Sequence, residues 1–439
     1  LNYFSDLGVD EAGCTGYPDR TGAFVTAKAC KVRGAYSRQA FANQEAKIVS
    51  AINALGADVV ALEEIENPVA VGVGSDRDAA LARLVTALNE ALGSDVWAYV
   101  PSPPTIPAGE DVIRVAFIYK TAAVTPVGDS VIHDDAAFSG LARQPLAQEF
   151  ARRTTERASA PSFVVIANHF KSKGSVPEGA GEGNTDSGDG QGNANAIRVA
   201  QASSLASFAA RYADKPTLLV GDFNSYSQED PIKTIEGAGW EHVSGSGEPS
   251  YVYAGRSGSL DHVFANAAAT PLVAGVTSWA VNAQESIAFE YSRAGMNAHL
   301  AVEAEGPYRS SDHNPEIIGL RLLEGAPTPG DEPVPAVTPG PETGTTPTPA
   351  TSPTPATSPA PAGPRPHSAT TSAPRVTTRA ATASSRGKSP ENRASPASAR
   401  ALARTGASAE LAIGAGFLLA LAGLAARGAA CRRLGAPQR

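Results

Sequence analysis

Between residues 1 and 323 short apolar runs and helix-periodic segments take turns along the chain, and this interleaving constrains the fold more than any other feature. "RQAFANQEAKIVSAINALG" (38–56) has apolar residues at helical spacing and stops on Gly56. A second helical pattern runs from about Asp76 to Leu92, and a third covers 195–212. Between them "DVVALEEIE" (58–66), "VIRVAFIYK" (112–120), "SFVVIANHF" (162–170) and "PTLLVGDFNS" (216–225) read as strands. "LDHVFAN" (260–266), "VAGVTSWAV" (273–281) and "PEIIGLRLL" (315–323) follow as further short strands. Some connections are too short to hold crossover helices. The expectation is an α/β fold with two mixed β-sheets packed face to face and helices outside.

After Leu323 the composition changes. Residues 325–401 are rich in Pro, Thr, Ser and Ala with almost no large apolar side chain, so they cannot bury enough surface to offset their ordering entropy. They read as a disordered, proline-stiffened stalk. Residues 402–439 hold an apolar stretch, with a transmembrane segment expected at about 409–426, followed by Arg427, Arg432 and Arg433, which place the C-terminus inside a cell. The net charge of −8 divides into about −15 for residues 1–324 and +7 for the rest. So acidic a body is a poor unaided binder of nucleic acid, and a phosphate substrate would call for a cation. Cys14 and Cys30 are close in sequence, and in an exported protein they are expected to form one disulfide. The chain begins on Leu1 without a leader, which reads as a piece of a longer precursor.

The chemistry gathers at strand ends. The strand from Asp58 runs into Glu64, that from Ser162 into Asn168 and His169, and that from Thr217 into Asp222 and Asn224. Asp261 opens a later strand, and Asp312 and His313 precede another. If the later strands run antiparallel to the earlier ones, all these groups meet at one rim. Each alone also reads as a turn residue, a surface acid or a structural histidine. Together they suit metal-assisted phosphoryl transfer: carboxylate and carboxamide oxygens for a hard cation, histidines for acid–base work or as donors to phosphate. Lys171 and Lys173 beside His169 are candidate phosphate contacts, or plain solvated charges.

"ALEEIEN", "NHFKSKG", "DGQGNANAIR", "LLVGDFNSYSQEDP", "SGSLDHVFAN" and "YRSSDHNP", in this order, resemble the endonuclease/exonuclease/phosphatase (DNase I-like) superfamily, most closely its secreted bacterial extracellular nucleases of the ExeM/NucH type. The resemblance covers nearly all of residues 1–323. It implies a four-layer α/β sandwich and metal-dependent phosphodiester hydrolysis of nucleic acid, DNA first. It implies Glu64 as principal metal ligand with Asp312 near the metal, and Mg²⁺ as the cofactor, with Mn²⁺ or Ca²⁺ as the other candidates. Asp222 would orient or activate water, and Asn224 would position water and phosphate. His169 would contact the scissile phosphate or act as acid, and His313 would be a second essential histidine paired with Asp261. The pattern departs from the family twice. The Asn expected just upstream of "LNYF" is absent, so the chain as it stands is expected to be weak or inactive. Asn193 also stands where the secreted branch often has Cys.

"LARTG" (402–406) before an apolar span and arginines resembles actinobacterial sortase signals, whose cut would fall between Thr405 and Gly406. The chain is thus expected to be exported by a Gram-positive cell and held first by its membrane helix. Sortase would then join it to cell-wall peptidoglycan, with the domain monomeric. Two other readings compete: the same fold acting on a phospholipid or small phosphate ester, and a non-catalytic surface adhesin. The expected divisions are 1–324 for the catalytic domain with a truncated first strand, 325–401 for the stalk and 402–439 for the sorting signal.

Overall fold

The computed structural model describes residues 14–18, 22–28, 31–153, 161–244, 249–291 and 306–322. Their order is β1 (Thr15–Pro18), β2 (Phe24–Lys28), α1 (Arg38–Ala54), β3 (Val59–Glu66), α2 (Pro68–Val71), α3 (Ala79–Leu92), β4 (Trp97–Tyr99), β5 (Ile113–Lys120), β6 (Val124–Ile132), β7 (Arg143–Arg152), β8 (Ser162–His169), α4 (Asn195–Ala209), β9 (Thr217–Asp222), α5 (Asp230–Gly237), β10 (Glu241–His242), β11 (Tyr251–Tyr253), β12 (Arg256–Gly258), β13 (Asp261–Ala265), β14 (Val273–Ser278) and β15 (Glu316–Leu320).

Strands β10-β13-β9-β8-β7-β6 form one six-stranded sheet and β3-β5-β4 a second of three. Within the larger sheet β8 and β9 are parallel, joined through α4, and the other pairs are antiparallel. A parallel pair needs such a crossover, and the helical period of residues 195–209 supplies it. The larger sheet is therefore mixed, as expected. The smaller one differs: among the described residues it is antiparallel throughout. Residues 100–112 between β4 and β5 contain no helix to carry the chain back, so β5 returns alongside β4.

Period-two alternation sorts the side chains of the large sheet into two cores. Phe163, Val165 and Ala167 of β8 face inward and pack with Val115 and Phe117 of β5, Leu146 and Phe150 of β7, and Val59 and Ala61 of β3. Val164 and Ile166, the alternate residues, face outward with Leu219 and Phe264 and pack on Ala202 and Leu205 of α4 and Ile232 and Ile235 of α5. A third core lies beyond the small sheet, where Val60 and Leu62 meet Ile48 of α1 and Leu81, Leu84 and Leu88 of α3. The layers thus run helix, sheet, sheet, helix. Ribbon β14–β15 covers the inner face of β9 and β13 through Val276 and Ile318. Phe117 is fully buried between the sheets, and its truncation to Ala would cost about 3–5 kcal/mol.

The helices at 38–54, 79–92 and 195–209 fall where the sequence puts them, and so do the seven strands expected from it, β3, β5, β8, β9, β13, β14 and β15. Strands β1, β2, β4, β6, β7 and β10 and the hairpin β11–β12 were not foreseen. The stalk at 325–401, the segment 402–439 with its span at 409–426, Thr405 and Gly406, and Cys30 lie outside the described residues. Among the described residues no helix is long and apolar enough to cross a membrane.

Candidate active site

The inner face of the large sheet changes from apolar to polar along one line. Register pairs Arg143 of β7 with His169 of β8, His169 with Asp222 of β9, and Asp222 with Asp261 of β13. Directly paired residues project from the same face. The alternation that buries Phe163, Val165 and Ala167 therefore puts His169 next in line at the core's edge, and Leu218 and Val220 lead to Asp222 in the same way. Four strands deliver one row of ionisable groups, and His313, from the loop before β15, joins its far end.

Asp261 and His313 anchor that end. His313 Nδ1 donates to Asp261 Oδ2 at 2.7 Å, and the same oxygen accepts from Ser250 Oγ at 2.6 Å. Asn314 holds the loop. Its side-chain oxygen accepts from the backbone of Asn282 and Ala283, and its amide donates to Pro249. Burial opposes charge on His313, but Asp261, Asp312 and Asp222 surround it and hold its pKa well above the ordinary range. Burial likewise opposes the charge of Asp261, and the His313 cation holds that carboxyl low.

The other end is the reverse. Burial and the Arg143 guanidinium together push His169 well below its ordinary pKa. Arg143 Nη1 lies 3.2 Å from His169 Nε2. A guanidinium only donates, so Nε2 accepts and the ring proton sits on Nδ1. His169 Nδ1 is buried and has no hydrogen-bond partner among the described residues. One pair of histidines is thus split into a neutral and a cationic member, the pattern that assigns different roles to like groups.

Between them sits Asp222. Asn224 gives its backbone N–H to Oδ1 at 2.7 Å and its side-chain amide to Oδ2 at 2.9 Å. Asn224 takes a left-handed φ of 48° to do so. Burial raises the Asp222 pKa to about 7, with Asp261 adding repulsion and His313 opposing.

Glu64 comes from the opposite sheet through a β-bulge. Leu62 pairs with Ala116 and Ile65 with Arg114, so Glu63 and Glu64 together face Val115. The extra residue breaks the alternation: Val59 and Ala61 face the inner core, yet Ile65 points to the outer one. Glu64 adopts φ 61°, a conformation that costs a β-carbon-bearing residue about 1–3 kcal/mol. Burial opposes its charge, but nearby positive charge, the Arg143 guanidinium among it, keeps its pKa low. Glu63 is pushed up to about 8 by burial and by Asp261 and Asp222. Its carboxyl presses on Gly221, where an added Cβ would lie 2.8 Å from Glu63 Oε1 and 2.2 Å from the Asn168 carbonyl. Only glycine, here at φ 123°, lets the two sheets meet so closely.

The structure therefore brings together His169, Asp222, Asn224, Asp261 and His313, with Glu64 and the exposed Asp312 close enough to act on them electrostatically. It places the two lysines otherwise. Lys173 is salt-bridged to Glu229 and lies over the Tyr226 ring at 4.7 Å. Lys171 is buried, donates to the Ser172 carbonyl at 3.1 Å, and is lowered to about 8 by burial and by Arg143, Arg198 and Arg33. Sequence reasoning missed Arg143, Ser250 and Glu63. The alternation of "RQPLAQEF" was the available signal for the strand carrying Arg143. Arg198, in the "DGQG…R" motif, is fully buried and ties loops together, donating to Ser225 Oγ and to the carbonyls of Asn193 and Gln191.

The donor set fits a divalent cation. Asp312 opposes the ionisation of Glu64, the kind of repulsion a cation relieves, and both offer hard oxygen donors. Asp222, Asp261 and His313 also bring ligand atoms within 4.8 Å of one another. A cation there would first have to displace the His313 proton, since a ligating imidazole must be neutral.

No curated protein matches the chain. Among solved structures, a conserved protein of unknown function from Enterococcus faecalis V583 is 14% identical, covers 65% of this chain and 92% of its own, and has a TM-score of 0.40. An endonuclease/exonuclease/phosphatase family protein from Bacteroides thetaiotaomicron is 13% identical over 63% of this chain and 88% of its own, with a TM-score of 0.38. A mannosyl-6-phosphatase from Bacteroides thetaiotaomicron VPI-5482 is 12% identical over 63% and 90%, with a TM-score of 0.37. The family model for the Endonuclease/Exonuclease/phosphatase family matches residues 32–313, a span that takes in Glu64, the whole polar row and His313. The chain belongs to the endonuclease/exonuclease/phosphatase family of phosphate-ester hydrolases.

Proposed function

We propose that the protein is a metal-dependent phosphodiesterase that cuts nucleic acid, DNA first, outside the cell. The observation that carries this reading is the row Arg143–His169–Asp222–Asp261 closed by His313, in which one carboxylate near pKa 7 lies between a neutral and a cationic histidine. Asp222, its carboxylate fixed by both N–H groups of Asn224, takes a proton from the attacking water. Cationic His313, with Nδ1–H spent on Asp261, has Nε2–H left to give to a phosphate oxygen. That donor strengthens as charge grows in the transition state. Arg143 and the His169 ring stand on the other side of the same phosphate. Glu64 and Asp312 would hold a divalent cation, Mg²⁺ first, which when bound neutralises phosphate charge and stabilises the leaving oxygen. Such a cation also answers how a body of −15 charge meets a polyanion.

The proposal extends to the termini. Register pairs Thr15, next to Cys14, with Lys28, two positions before Cys30 in the sequence, which supports a bridge between the two cysteines, and the protein would be of the secreted ExeM/NucH type. Residues 402–439 would be a sorting signal cut between Thr405 and Gly406, leaving a monomer on the cell wall of a Gram-positive, actinobacterial cell. The C-terminal peptide of the full precursor, made in a sortase-bearing host, should end at Thr405. Intact Cys431-containing protein in the detergent fraction would reject sorting.

The activity test uses purified protein with plasmid DNA, RNA and a small phosphate ester, each with Mg²⁺, Mn²⁺, Ca²⁺ or chelator. Metal-dependent loss of plasmid or RNA is expected. Hydrolysis of the small ester alone would replace the nuclease reading, and inertness toward all three would leave a surface adhesin.

A further inference from the structure

A short hairpin beside His313 has no part in the chemistry above, yet it is built with care. Strands β11 and β12 pair Tyr251 with Gly258 and Tyr253 with Arg256. The turn between them, Ala254 at φ 50° and Gly255 at φ 75°, is left-handed at both central positions, as the tightest hairpins require. Tyr251 forms a β-bridge to His313, and its ring centroid lies 4.6 Å from the imidazole. Two residues on, the Tyr253 ring is parallel to that of Tyr251 within 9°, at 6.4 Å, and is 55% exposed. A line of rings thus leads outward from the catalytic imidazole and ends in an uncovered face. Arg256, across from Tyr253 and projecting from the same side, is exposed and makes no ion pair among the described residues. Gly258 completes the base of the hairpin. A Cβ there would lie 2.6 Å from the Tyr226 ring, so the hairpin seats directly on the loop that follows Asp222 and Asn224.

An exposed, pre-set tyrosine beside a free guanidinium, one hairpin away from a phosphate site, matches the chemistry of a nucleotide: a π-face for the base and a cation for its phosphate. We propose that Tyr253 is a specificity-determining residue that stacks the base of the nucleotide next to the scissile phosphate, with Arg256 on the adjoining backbone phosphate, so that the site prefers unpaired strands whose bases are free to stack. This rests on the nuclease reading above and narrows its substrate to single-stranded or frayed nucleic acid.

The test compares wild-type, Tyr253→Ala and Tyr253→Phe protein on two single-stranded oligodeoxynucleotides of equal length, one of thymidines and one with abasic residues around the cleavage step. Tyr253→Ala should raise KM for the thymidine strand by about tenfold, the range expected from losing one stacked base, with kcat little changed. Tyr253→Phe should stay close to wild type. The abasic strand should be a poor substrate for wild type and no worse for Tyr253→Ala. Equal cleavage of the thymidine strand by wild type and Tyr253→Ala would overturn the proposal while leaving the nuclease reading intact. So would an equal loss on both strands, which would mark Tyr253 as merely structural. If wild-type protein hydrolyses a small phosphate ester but neither strand, the nuclease reading itself fails and takes this proposal with it.

Discussion

The two ends of the polar row hold the same side chain in opposite states. His169 and His313 flank Asp222, both beside charged partners. At the β7–β8 end the neighbour is Arg143, and burial acts in the same direction as its charge, so His169 stays neutral. At the β13 end the neighbours are Asp261, Asp312 and Asp222, and their combined field outweighs burial, so His313 stays cationic. Partner charge decides the difference, because burial depresses both imidazoles alike. An imidazole is thereby assigned as acceptor or donor by the charges that its neighbouring strand brings, and sheet register sets which charges those are.

The sharpest way to break the comparison is to remove what both ends share or the donor at one of them. Asp222→Asn and His313→Ala should each lower kcat by at least about two orders of magnitude in a phosphodiesterase assay with Mg²⁺, the usual cost of a general acid or base. Wild-type rates in either would dissolve the row as a site.

Next comes Asp261→Asn. It removes the carboxylate 2.7 Å from His313 Nδ1, so the His313 pKa should fall toward the ordinary histidine range. Activity needing cationic His313 is present below its folded pKa and lost as pH rises through it. The alkaline limb of the pH–rate profile should therefore move to lower pH, with a loss of about tenfold or more at pH 8. An unmoved limb would show that His313 does not titrate in the reaction.

Arg143→Gln tests the opposite end. Without the guanidinium the His169 pKa should rise, although burial still depresses it. A folded pKa below the unfolded value means stability is lost as pH falls through about 6.5, where the unfolded histidine takes up a proton. Thermal melts should show an acid-side loss that still begins near pH 6.5 but is smaller and levels off at a higher pH in Arg143→Gln than in wild type, beside a rate loss of about tenfold.

Cation removal gives a smaller, pH-dependent effect on stability. Asp222 and Glu63 are raised to about 7 and about 8, so folded protein binds protons more tightly than unfolded protein between about pH 4 and 8. Without cation, stability falls as pH rises through that window. Mg²⁺ should raise the melting temperature over chelator by more at pH 8 than at pH 5. Smallest of all, Ser250→Ala should cost about 1 kcal/mol and only a few-fold in rate, since Asp261 keeps its bond to His313.

Much of this was legible in the sequence for a simple reason. The alternation that identifies a strand also tells which residue comes next on its inner face, and His169, Asp222 and Asp261 fall on that count. What could not be read was pairing across long separations. Arg143 meets His169 only because β7 and β8 share a register, and Lys173 finds Glu229 across a loop and a helix. The bulge at Glu63–Glu64 was hidden too, because "ALEEIE" alternates poorly with or without it, and only the partner strand shows which residue is extra. The antiparallel order of the small sheet depended on a connection whose path carries no periodic signal.

The most direct measurement is the metal-dependent initial rate on a labelled single-stranded oligonucleotide at pH 7.5, for wild type and Asp222→Asn, with Mg²⁺ or chelator. The account predicts cleavage by wild type with Mg²⁺, none with chelator, and at least about a hundredfold less by Asp222→Asn. Cleavage that survives chelation, or that Asp222→Asn performs as fast as wild type, would contradict it.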